Sequence, residues 1–194
     1  MAKKGSSTKL KVRKGKKRWF PVVAPKSLGG QEIAQITAYD PSELMNRNLL
    51  VPMKAITGSA RDSNLSVKLT ITKVQGDTAQ TTSVGIFTSD SQVSRTGRRK
   101  SSKIDAVFYV KDKSNEDMKI KFALFARENL TKSLKNDLRS LAQEQISKSL
   151  KNQESGDFFT SASIKKMGLD LKKNLKQVYP ISDAVIWKAS KISK

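Results

Sequence analysis

Leu65, Val67, Leu69 and Ile71 alternate strictly with Ser66, Lys68, Thr70 and Thr72, a period of two that puts apolar side chains on one face of a half-buried strand. Gln75-Gly76-Asp77 reads as a turn, and the Thr-rich stretch 78–87 as the strand that returns from it. The same period recurs at 104–111 and at 118–126, where Met118, Ile120, Phe122 and Leu124 oppose Lys119, Lys121, Ala123 and Phe125. The polar turn 112–117 between them predicts a hairpin. Upstream, Phe20, Val22 and Val23 between Pro21 and Pro25, a Gly29-Gly30 turn, and Ile33 and Ile36 among polar residues predict two short strands over 19–39. Asp40-Pro41-Ser42-Glu43-Leu44 carries the signature of a brief helix entry, with Asp40 as N-cap.

Over 130–150 the period changes to that of a helix. Leu130, Leu134, Leu138, Leu141, Ala142 and Leu150 fall on one stripe, Lys132, Lys135, Arg139 and Lys148 decorate the rest, and Asn129 is placed to cap. A polar loop with Gly156 and Phe158-Phe159 precedes a second helix bearing Ile164, Met167, Leu171, Leu175 and Val178, which Pro180 stops. Residues 184–192 alternate again and predict a closing strand. There is no internal repeat. Strands, two helices and a final strand predict an α+β fold with a mostly antiparallel sheet or a β-barrel-like core and flanking amphipathic helices.

The first eighteen residues do not join this pattern. They hold nine Lys or Arg and no acid, with Leu10 and Val12 as the only large apolar residues after Met1. Such a segment cannot bury enough surface to offset its ordering entropy, so a disordered basic arm over 1–18 and a single domain over 19–194 are expected. Over the whole chain of 194 residues, 38 basic against 17 acidic residues leave a net charge of +21. A surface of that charge seeks a polyanion, and nucleic acid releases condensed counterions on binding. Contact with roughly eight duplex phosphates would give a slope of log affinity on log salt of about −7.

Cysteine and histidine are both absent, which excludes disulfides, Cys/His zinc sites, Cys nucleophiles and His-based acid/base steps. Asp112, Glu116 and Asp117 sit in a turn among lysines, without a second cluster to complete a metal site, and the reading there is solvated carboxylates. No Gly-rich phosphate loop, no spanning apolar stretch and no signal-peptide h-region is present, so no cofactor, metal, small-molecule substrate or membrane partner is expected, and the expected location is the cytoplasm.

Two basic segments are the first candidates for binding. In the arm, Lys9, Lys11, Arg13, Lys14, Lys16, Lys17 and Arg18 are interleaved with Gly and Ser, which let a backbone thread between phosphate strands. In the Gly-containing basic loop Arg95-Thr96-Gly97-Arg98-Arg99-Lys100-Ser101-Ser102-Lys103 five cations fall within nine residues and feed directly into a strand, so Arg95, Arg98, Arg99, Lys100 and Lys103 could present fixed forks to phosphates. Trp19 and Phe20 offer aromatic rings for base stacking, although at least one of them should be core beside Val22 and Val23. Phe108, Tyr109, Phe122 and Phe125 read as hairpin core, although aromatics on a sheet face can also stack RNA, and Lys132, Lys135 and Arg139 read as a helix face that is either solvated or on RNA.

Three blocks stand out in order along the chain: Lys17-Arg18-Trp19-Phe20 with Ala24-Pro25, then Arg98-Arg99-Lys100-Ser101-Ser102-Lys103-Ile104-Asp105-Ala106-Val107, then Val178-Tyr179-Pro180-Ile181. In that order and at about that spacing they together resemble the archaeal and eukaryotic small-subunit ribosomal protein family of the three-A-e, or e-S-one, type. The short chain is more similar to the archaeal members. The resemblance implies a non-catalytic constituent of the ribosome with a β-barrel-like core, seated on the platform of the small subunit near the messenger exit. Its partners would be small-subunit rRNA, neighbouring ribosomal proteins and messenger RNA at the exit. The alternative is a basic chromatin or nucleoid protein on duplex DNA; an RNA-processing enzyme is a third reading.

Overall fold

A computed structural model describes residues 15–97, 101–151, 153 and 155–192. The chain opens with the antiparallel pair β1 (Arg18–Val23) and β2 (Glu32–Ala38), in which Phe20 and Val22 face inward and Trp19 faces out. Next come a 3-10 turn at Pro41–Leu44, β3 (Asn48–Pro52), the short helix α1 (Met53–Thr57) and a 3-10 turn at Ala60–Asp62. The long pair β4 (Leu65–Gln75) and β5 (Thr78–Thr88) turns at Gly76, whose φ of 60° suits a residue without Cβ. α2 (Asp90–Thr96) leads to the hairpin of β6 (Lys103–Lys111) and β7 (Asp117–Ala126). Three helices, α3 (Lys132–Lys151), α4 (Ser155–Phe158) and α5 (Ser161–Leu175), precede the last strand, β8 (Ile181–Lys191).

All the strands share one sheet, with the path β2-β1-β5-β8-β7-β6 and with β4 and β3 joined to the other edge of β5. Every ladder is antiparallel except the short parallel contact of Val22 and Val23 with Ala79 and Gln80. Of the two forms the sequence left open, the sheet is the one found: among the described residues no ladder joins β6 to β2 or β3, so the sheet is not closed into a barrel.

The inner face packs against α3 and α5. Leu138, Ala142, Ile146 and Leu150 of α3 join Ile120, Phe122 and Leu124 of β7 in the main core, as do Ile164 and Leu171 of α5. A second cluster gathers Phe20, Val22, Leu44 and Ile71 beneath β1. A third lies on the opposite face of β7, where Val93 of α2 covers Ala123 and Phe125 with Val185 and Trp187 beside them. α5 lies unusually close to β8, because a Cβ on Gly168 would stand 2.8 Å from the Ala184 carbonyl oxygen. Its other anchor is polar. Lys165 pairs with the buried Asp62, whose second oxygen accepts the Thr57 hydroxyl at 2.8 Å.

Several expectations are corrected. Asp40 stands at the cap position but makes no side-chain cap bond; Glu43 instead accepts the Tyr39 N–H at 3.3 Å. The long helix begins at Lys132 rather than after Asn129, and Thr131 accepts the Lys135 N–H through its carbonyl. The stretch around Gly156 forms the short helix α4, with Phe158 and Phe159 buried. α5 ends at Leu175, so Val178 falls outside it and is exposed. Asp112 is buried rather than hydrated, its Oδ1 accepting the N–H groups of Ser114 and Glu116 at 2.8 and 2.9 Å to hold the hairpin turn. Tyr109 is not core: it is 66% exposed on the outer face. Of the arm expected over 1–18, residues 1–14 lie outside the described residues, and Arg18 already belongs to β1.

Candidate nucleic-acid interface

The outer face of β6, β7 and β8 is set by ladder register. Lys103 pairs with Phe125, Val107 with Lys121, Tyr109 with Lys119, and Lys121 in turn with Lys188 of β8. Met118, Ile120 and Phe122 are buried on the inner face, so Lys119 and Lys121 must point outward by the pleat. Between Lys121 and Phe122 the β7–β8 register shifts, and the residue of β8 left over is Trp187. Such a bulge turns a side chain out of the regular alternation.

α2 fixes that indole. Ser89 caps the helix by accepting the Gln92 N–H, Val93 anchors it on Phe125, and Asp90 in its first turn accepts the Trp187 Nε1–H at 2.6 Å. Around the ring converge Lys121, Lys103 and Lys188, their Nζ atoms 3.5, 4.5 and 5.9 Å from its centroid. Each ammonium gains about 0.5–1 kcal/mol from the ring quadrupole at an exposed site. Their mutual repulsion remains, and the outcome is a concentrated positive potential on a sheet face. Among the described residues neither these lysines nor Lys119 pairs with a carboxylate.

The residues singled out in the sequence are spread over three places. Lys16, Lys17, Arg18 and Trp19 are exposed at the start of β1, where Lys17 Nζ lies 5.4 Å from the Tyr39 ring centroid and Trp19 is 66% exposed, while Phe20 is core. Three strands of the sheet path, β5, β8 and β7, separate β1 from β6. Arg95 and Lys103 flank the second basic segment, which begins as the last turn of α2 instead of a loop. Arg95 is exposed and lines a polar hollow of about 700 Å³ with Arg127, Ser101 and Asp183. On α3, Lys132 is exposed and Lys135 half-buried, while the Arg139 guanidinium donates to the Asp105 carbonyl at 3.2 Å, capping one backbone group of the edge strand β6, and to Asn136 Oδ1 at 2.9 Å. Lys9, Lys11, Arg13, Lys14, Arg98, Arg99 and Lys100 lie outside the described residues.

Sequence reasoning missed Lys119, Lys121, Trp187 and Lys188 as a group. The outward lysines of β7 were visible in the alternation. That the last segment of the chain inserts beside β7, with a bulge that brings Trp187 under them, is long-range pairing that no local pattern records. Among the described residues there is no group of three or more Asp or Glu placed to hold a metal, and no helix long and apolar enough to cross a membrane.

Comparison with known proteins gives a consistent picture. Residues 5–194 match the model of the ribosomal S3Ae family. The chain is 34% identical over 108 residues to the small ribosomal subunit protein eS1 of Picrophilus torridus, covering 56% of this chain and 52% of that protein. With the protein of the same name from Thermoplasma volcanium it shares 29% over 117 residues, 58% of this chain and 54% of the relative. A longer match, 25% identical over 165 residues, joins it to the eS1 protein of Methanothrix thermoacetophila, covering 85% of this chain and 78% of that one. In the first two alignments the chain thus spans little more than half the length of the relative.

Proposed function

The chain belongs to the ribosomal S3Ae family, and from that premise we propose that it is a structural constituent of the small ribosomal subunit, bound to small-subunit rRNA on the platform near the messenger exit. Its neighbours there are other small-subunit ribosomal proteins and the exiting messenger, and its location is the cytoplasmic ribosome. The relatives are named as ribosomal subunit proteins rather than enzymes. The domain over 19–194 supplies rigidity, and the arm over 1–18 with the segment from Arg95 to Lys103 supplies phosphate contacts. Lys9, Lys11, Arg13, Lys14, Lys16, Lys17 and Arg18 act in the arm, beside Trp19. Arg95, Arg98, Arg99, Lys100 and Lys103 act in the second segment, and Lys132, Lys135 and Arg139 add a flank on α3.

The observation that carries this reading is the convergence of Lys103, Lys121 and Lys188, unpaired by any described acid, on the face where the second basic segment enters the sheet. Contacts of this kind position a protein on RNA and carry little sequence information. Filter binding of the full chain to small-subunit rRNA across a salt series tests it. Affinity should fall steeply with salt. Deleting residues 1–16 should weaken binding and flatten the slope by about 0.7–0.9 for each phosphate that the arm no longer neutralises. A slope unchanged by the deletion would remove the arm from the interface, and salt-independent binding would overturn the reading itself.

A further inference from the structure

We infer that the outer face of β6, β7 and β8 is a platform for unpaired RNA nucleotides, with Tyr109 as the stacking surface and Lys103, Lys119, Lys121 and Lys188 as the phosphate contacts around it. This rests on the rRNA reading above and adds to it which form of RNA the face selects. Phosphate neutralisation by itself needs no aromatic ring. Here the rows of the sheet alternate cations with uncovered apolar area: Tyr109 is 66% and Val107 47% exposed, and their direct cross-strand partners are Lys119 and Lys121. The Lys119 ammonium stands 5.8 Å from the Tyr109 centroid, close enough to take the phosphate of a nucleotide whose base lies on that ring. Trp187 is held differently. Its N–H is engaged by Asp90 and two lysines lie within 4.5 Å of its centroid, so it orients cations and leaves stacking to Tyr109.

A duplex hides its base faces within its own stack and offers this surface only phosphates. A single strand or a loop can splay a base onto a ring. Charge fits the same partner. The acids in the outward rows are Asp105, Asp117 and, on β8, Asp183, none of them in the rows of Tyr109 and Val107; Asp183 lies in the Lys103 row and accepts the Ala184 N–H, and the remaining nearby carboxylate, Asp90, is engaged by the indole. Tyr109 stands on the edge strand β6, where the Arg139 guanidinium caps the Asp105 carbonyl.

The test uses the full chain and two labelled probes at equal salt, a ten-nucleotide oligouridylate and an RNA duplex of the same length, read by fluorescence anisotropy. Tyr109→Thr keeps the β-branched preference for a strand and removes the ring. It should weaken oligouridylate binding by about tenfold while leaving duplex binding unchanged, and Tyr109→Phe should restore the single-strand affinity. Lys121→Gln should weaken both probes and flatten both salt slopes. Equal oligouridylate affinity of the wild-type protein and Tyr109→Thr would overturn the platform, as would an equal loss on both probes, and the face would then be left to a protein neighbour. Neither result touches the rRNA reading, which fails instead if the wild-type protein shows no salt-dependent binding to either probe.

Discussion

Asp62 and Lys165 show how much a single charged residue can carry in a chain with so few acids. Burial raises the pKa of the Asp62 carboxyl, but the hydrogen bonds from Lys165 and Thr57 to the charged form more than offset this, and it titrates below its ordinary 3.8. A depressed carboxylate contributes stability that is fully present above its unfolded pKa of about 3.9 and is lost as pH falls through the folded value. Asp62→Asn should therefore cost about 1.5–3 kcal/mol at neutral pH, the worth of a hydrogen bond to a charged group. In urea unfolding the gap to the wild-type protein should close as pH is lowered below the unfolded pKa. A gap that stays constant from neutral to acid would mean that the ion pair contributes nothing. At this scale the sequence was partly legible. That at least one of Trp19 and Phe20 is core follows from Val22 and Val23 beside them, and it is Phe20, whereas the burial of Asp62 does not follow, because its partner lies on a helix more than a hundred residues away.

Among the elements, α5 is held to the sheet by the absence of a side chain. Alanine at 168 would gain about 1 kcal/mol of helix propensity over glycine. Its Cβ would also meet the Ala184 carbonyl at 2.8 Å, a backbone atom that cannot swing aside, and overpacking of this kind costs about 1–3 kcal/mol. The second effect should win, so Gly168→Ala should lower the thermal midpoint despite the better helix former; an unchanged or higher midpoint would show that the helix can lift off β8 freely. Alternation made β4, the β6–β7 hairpin and the inner stripe of α3 legible, since the buried positions repeat at the period of the element except over 122–126 of β7, which is buried on both faces. It could not find β3 or α1, where Pro52 reads as a stop yet ends a strand and caps a helix turn. It also read Arg95 as loop. The capping Ser89 and the single apolar Val93 of α2 make too short a stripe to register before its contact with Phe125 is known. The β-bulge at Trp187 is the element-scale event that assembles the lysines, and only the pairing of β8 with β7 reveals it.

For the molecule as a whole, charge sets two responses to salt of opposite sign. Even if each of the 17 acids were paired, 21 of the 38 cations would have no carboxylate partner. The free protein therefore repels itself, and screening relieves that repulsion as the Debye length falls from about 30 Å at 0.01 M salt to about 8 Å at 0.15 M. The cations on the β6–β8 face are crowded, three of them lying within 5.9 Å of one indole centroid, so relief there should continue to higher salt than for the scattered remainder. Scanning calorimetry of the free chain should then show the midpoint rising with sodium chloride over this range, at about 2–4 °C for each kcal/mol gained, while the affinity for RNA falls over the same range. Replacing Lys121 and Lys188 together by Gln should raise the midpoint at low salt and weaken RNA binding, because the same unpaired charges that strain the isolated fold supply its attraction for phosphate. If the double variant is instead less stable at low salt, the cation–π contacts with Trp187 outweigh the repulsion among the lysines, and the cluster is then a device of the fold rather than a site held at a cost for its partner.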